Sequence, residues 1–106
     1  MKINDKEYNL FYSIGAHVDF DNWAVSHPKA SYTEGVMIKF ELMVKAYNNA
    51  HGIKDNDPPS KDELATLPNS LFEEIMTEVL ECEKRDTERK VEEEPEQGKN
   101  VESTAR

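Results

Sequence analysis

Apolar residues fall at two different spacings along this chain, and the change of spacing marks a change of structure. Near the start the period is two: Tyr8, Leu10 and Tyr12 alternate with Glu7, Asn9 and Phe11, and Ile3 leads into the polar turn Asn4-Asp5-Lys6. Such alternation predicts a β-hairpin over Lys2 to Tyr12 with one face on a core. Phe11 interrupts the polar face, so the end of the second strand is expected to be covered on both sides. A lone hairpin is marginal in water and must pack on the helical part of the chain.

From Ser13 the period becomes helical. Ser13 suits the N-cap of a helix running to Ala24 or Val25, with Ile14, Val18, Phe20 and Trp23 turned inward. Ser26-His27-Pro28 stops it, because the residue before a proline is driven out of the α region. The clearest helix runs from Ser31 or Thr33 to His51. There Val36, Phe40, Met43, Val44 and Tyr47 make one apolar stripe opposite Glu41, Lys45, Asn48 and Asn49, and Gly52 follows as the C-cap. Ile53 to Pro59 is expected to be a loop, because Asp55-Asn56-Asp57-Pro58-Pro59 forbids helix. Ser60 to Glu63 has capping-box spacing and opens a short helix holding Leu64 and Leu67; Ser70 to Glu73 repeats that spacing. The last helix is expected to bury Leu71, Phe72, Ile75, Met76, Val79 and Leu80. The fold class that results is mainly α with a small N-terminal β-hairpin (α+β).

Beyond Cys82 the composition shifts. Residues 83–106 contain Val91 and Val101 as their large aliphatics and no aromatic residue. Too little apolar surface is available there to offset the entropy of ordering. The expected organisation is one hairpin-plus-helices domain over 1–82 and a charged, disordered tail over 83–106, with helix able to persist through Glu83-Lys84-Arg85-Asp86.

Charge narrows the classes of partner. Asp and Glu number 22 against 13 Lys and Arg in 106 residues, a formal charge of −9, and six of the basic residues follow Cys82. Phosphate backbones are held by clustered cations, so nucleic-acid binding is not expected. The charged start, MKINDKEYNLFYS, lacks the apolar run of a secretory leader, and no stretch reaches the ~20 apolar residues that span a bilayer. A cytoplasmic chain is therefore expected. A single cysteine excludes an internal disulfide, and Cys82 reads as a small half-buried hydrophobe.

Catalytic chemistry finds no constellation to work with. His17, Asp19 and Asp21 do not share a helix face, although His17 and Asp21, four apart, can meet. Asp19 to Asn22 and Asp55 to Asp57 lack the glycine and distal glutamate of a calcium loop. His27 and His51 have no zinc-ligand spacing, and the four glycines are dispersed. The chain is expected to be non-enzymatic, with no metal and no cofactor. What remains is protein binding. Met37, Met43 and Tyr47 on the long stripe read either as core or as an adaptable docking edge, and Trp23 and Phe20, near a loop, divide in the same way between core and interface anchor. Self-association is open on the same grounds.

Two stretches, Lys2-Ile3-Asn4-Asp5-Lys6-Glu7-Tyr8-Asn9-Leu10 and Tyr12-Ser13-Ile14-Gly15, resemble the start of tailed-phage tail assembly chaperones of the siphophage type. The helix spacing through Tyr47 and Leu71 to Leu80 is also similar, so the resemblance covers about residues 1–85. Trp23 to Pro28 departs from the family's pattern, and no binding motif is carried over. The resemblance implies a phage protein of the bacterial cytoplasm that binds the tape measure protein, keeps its long helices soluble and helps recruit tail tube subunits. The alternative is an acidic phage or mobile-element inhibitor that blocks a nucleic-acid-binding host protein, which needs carboxylates arrayed on one rigid face.

Overall fold

The structure, a computed structural model, describes residues 1–92, with side chains placed through Glu88. Two short strands, β1 (Lys2–Ile3) and β2 (Lys6–Glu7), pair antiparallel with Lys2 opposite Glu7 and Ile3 opposite Lys6. The turn between them is Asn4-Asp5, with φ of 51° and 69°. Two consecutive positive φ angles give the tight two-residue turn whose twist matches a hairpin, and Asn and Asp tolerate them best after glycine. The hairpin is shorter than its alternation predicts. Tyr8 to Tyr12 leaves the sheet and runs as an irregular segment over the helices, yet Tyr8 and Leu10 are buried as expected. Its backbone finds partners outside any sheet: Tyr8 N–H donates to Met1 O at 2.8 Å and Phe11 N–H to Met43 O at 3.1 Å.

Four helices complete the described chain: α1 (Ile14–Ser26), α2 (Tyr32–His51), α3 (Lys61–Leu64) and α4 (Asn69–Glu92). Their ends obey local chemistry. Ser13 accepts from Ala16 N–H, and Ser31 and Ser60 each complete a capping box, with Glu34 and Glu63 respectively. Gly52 closes α2 in the left-handed conformation, φ 67°, where a side chain would be strained. Ser70, expected as a cap, lies inside α4, which begins one residue earlier.

The helix α2 is the spine, with α1, α3 and α4 each packed on it; among the described residues α1 packs on no other helix. The core joins Ile3, Tyr8 and Leu10 to Val36, Phe40, Met43 and Val44 of α2, and to Leu64, Ile75, Val79 and Cys82. Phe40 is fully buried and meets the Tyr8 ring edge-on, with centroids 6.2 Å apart. Met43 is fully buried too. Of the two readings open for it, core holds and the docking edge does not: it lies on the inward line of α2 beside Phe40 and Val44, where no partner can reach it. Asn48, expected on the solvated face, is buried. It donates to Asn56 O at 2.8 Å, and Asn56 in turn donates to Glu7 O at 2.7 Å, tying the 53–59 loop to the hairpin. Leu80, expected inside, is 49% exposed.

The boundary expected at Cys82 is not where the helix or its contacts stop, since α4 continues to Glu92. Just past Cys82, Arg85 donates to Leu10 O at 3.0 Å, and Asp86 accepts Tyr12 N–H at 2.8 Å. These bonds satisfy the backbone of the irregular segment that the sheet does not pair. The expectation of disorder over 93–106 falls outside the described residues. Burial pushes the Asp86 carboxyl up, but hydrogen bonds from Arg85, Tyr12 N–H and Cys82 together outweigh it and hold its pKa below the ordinary value. A carboxyl whose pKa is lowered by folding stabilises above its unfolded pKa of about 3.9 and loses that contribution as the pH falls through its folded value. Removing Asp86 leaves the part-buried Tyr12 N–H without its acceptor and takes from Arg85 the carboxylate it pairs with. A chain ending at Arg85 should therefore be about 1–3 kcal/mol less stable at pH 7 than one ending at Glu92. The gap should narrow below pH 4, as thermal melts of both chains at each pH can check.

Candidate protein-docking surface

The helix α1 is short and carries apolar residues on two sides. At about 100° per residue, Ala16, Phe20, Trp23 and Ala24 share one side, while Ile14, Val18 and Val25 lie within about 40° of one another on the opposite side. Packing on α2 can cover only one of these. Ala16 is buried and Phe20, Trp23 and Ala24 are half-buried, whereas Ile14 and Val25 are each 81% exposed and Val18 is 50% exposed. The expectation that Ile14 and Val18 face inward is corrected on this ground.

On the packed side an aromatic ladder runs down the helix. Phe20 stacks on Trp23 with centroids 5.9 Å apart, and Trp23 stacks on His27 at 4.7 Å. His27, the C-cap, donates from Nδ1 to Trp23 O at 2.9 Å, which fixes its ring against the indole. From α2, Lys39 places its ammonium 4.7 Å above the Phe20 ring and pairs with Glu83 of α4 at 2.6 Å. That pair neutralises the charge at the floor of a 270 Å³ groove between α1, α2 and α4. Phe20, Trp23, Pro28, Tyr32, Val36 and Leu80 supply its apolar walls. Tyr32 is 67% exposed at the rim. A groove of this volume accepts one large apolar side chain.

Of the four residues expected to bind protein, the structure brings none together. Trp23 lines the groove just described. Met37 lines a second depression of 260 Å³ with Leu67, Leu71 and Phe72. Tyr47, stacked on His51 at 4.1 Å, borders a polar cleft with Arg85 and Asp86. Met43 is core. Leu80 and Tyr32, which complete the Trp23 groove, were missed. Tyr32 carried a signal, since an aromatic at the first position of a helix has little core to reach.

Reactive chemistry is subdued. Burial, with the Asp86 carboxylate adding to it, pushes the Cys82 thiol up to about 12, so the thiolate needed for nucleophilic or redox work is suppressed. His17 and Asp21 meet at 3.4 Å on the exposed side of α1. Among the described residues no three His, Cys, Asp or Glu side chains gather as a metal site, and no helix is long and apolar enough to cross a membrane. No family model matches the sequence, and no curated protein or solved structure matches it either.

Proposed function

We propose that this chain is a non-enzymatic binding protein that receives an apolar segment of another protein. The observation that carries this reading is the groove beside Trp23: its aromatic walls and charge-neutralised floor leave Leu80 and Tyr32 bare on a chain of net charge −9. Bare apolar surface of this kind is kept where a partner covers it. The resemblance of residues 1–85 to tail assembly chaperones makes the tape measure protein the expected partner, with the tail tube protein second, in the cytoplasm of an infected bacterium. In that role the groove shields apolar side chains of long helices until they assemble, and the acidic surface keeps the complex soluble.

Co-expression with the tape measure protein of the same genome should hold that protein in the soluble fraction, and the two should copurify. Leu80→Asp changes a 49% exposed side chain at the groove, so the fold should survive while copurification falls at least tenfold. A tape measure protein that stays insoluble, with a nuclease or polymerase captured in its place, would reject the chaperone reading for the inhibitor alternative.

A further inference from the structure

The bare side of α1 has a spacing of its own. Ile14, Val18, Asp21 and Val25 succeed one another at intervals of four, three and four, the spacing of a coiled-coil seam in which each side chain fits between residues of a facing helix. Three of the four positions are apolar and exposed, and the fourth is a carboxylate whose side chain is 66% exposed. Nothing else in α1 is basic except His17, which leans on Asp21 at 3.4 Å from the flank.

We infer that this seam docks a helix of another protein that carries apolar residues at three-four spacing and a Lys or Arg at the seam position facing Asp21. The proposal rests on the reading of the chain as a binding protein but not on the Trp23 groove, which lies on the other side of α1. Asp21 decides the occupant. In a parallel pairing of two copies, Asp21 would face Asp21, a like-charge contact at the seam. In an antiparallel pairing centred between Ile14 and Val25, Asp21 would face Val18 and be desolvated without a cation. A second copy is thus disfavoured in either direction, and two chains of net charge −9 also repel at long range. A partner lysine or arginine opposite Asp21 removes both penalties and fixes the register, as a single polar seam residue does in coiled coils. From Ile14 to Val25 the seam is only about 16 Å long, so the isolated contact is weak and its specificity resides in the charge.

The test uses the full chain, isotopically labelled, and two helix-stapled peptides of about three heptads with leucine at the seam, one with a central Lys and one with a central Glu. The Lys peptide should bind at least tenfold more tightly, and the amides that shift should be those around Ile14, Val18 and Val25. Asp21→Lys should reverse the preference, and Ile14→Ser with Val25→Ser should weaken both peptides at least tenfold while circular dichroism stays unchanged. Three results would overturn the inference. One is a Lys preference that survives in Asp21→Lys, which would be general attraction to an acidic chain. Another is shifts centred on Trp23 and Leu80, which would place the peptide in the groove and leave the binding-protein reading standing. The third is a dimer in sedimentation that Ile14→Ser with Val25→Ser dissociates.

Discussion

Met43→Asp should leave no stable fold at 25 °C. The methionine side chain has no exposure, and it sits among Phe40, Val44 and the other members of the apolar core. An aspartate there must either ionise without a partner or bury a protonated carboxyl with few hydrogen bonds, at several kcal/mol in either form. The lost methionine packing adds about 2–5 kcal/mol. A domain of this size has about 5–10 kcal/mol in total, so the sum exceeds what is available. Met37→Asp is the control, because Met37 is half-buried at the edge of a surface depression and its carboxylate can reach water. That variant should fold with a loss of about 1–2 kcal/mol. Circular dichroism and urea melts of the two proteins read the difference directly. A cooperative melt of Met43→Asp near the wild-type midpoint would show that the core opens at that point.

Phe40→Ala has the second-largest expected effect, about 3–5 kcal/mol. Phe40 is one of the residues that hold the N-terminal segment on the helices: its ring meets that of Tyr8 edge-on, and Leu10 belongs to the same core cluster. Truncation opens a cavity in the core cluster beneath Tyr8, and the space can close only if the irregular segment that follows the hairpin shifts on α2. The loss should appear as a lowered urea midpoint with little change in slope. Tyr8→Leu, which keeps much of the apolar volume but removes the edge-on contact, should cost much less, about 0.5–1.5 kcal/mol. Equal losses in the two variants would mean that the aromatic pair, not the filled space, holds the segment down.

Both predictions concern α2, and α2 is where the sequence was most legible. Its stripe is strong because Val36, Phe40, Met43 and Val44 recur at helical spacing and all four are buried together, with Glu41, Lys45 and Asn49 turned away from them. Met37 and Met43 are chemically alike, yet one is a surface edge and the other is core. Position on the helical wheel separates them only once the side that α1, α3 and α4 leave open is known.

Ser13, Ser31, Ser60 and Gly52 act as caps because each satisfies backbone groups within three or four residues, so their signals are local and complete in the sequence. The hairpin turn at Asn4-Asp5 is equally local. Three features depended on residues far apart in the chain. The helix α1 has apolar residues on opposite sides, so periodicity could not say which side α2 would cover; the packed side proved to be that of Phe20 and Trp23, leaving Ile14, Val18 and Val25 bare. Leu80 is exposed because α1 packs on α2 alone and does not close over this side of α4. The reach of α4 past Cys82 into contact with the N-terminal segment could not be read from a charged, aliphatic-poor stretch. Arg85 and Asp86 are held by Leu10 and Tyr12, more than 70 positions earlier in the chain. Composition measures the apolar surface a segment can bury, and these two residues are fixed instead by backbone groups that only the folded chain brings to them.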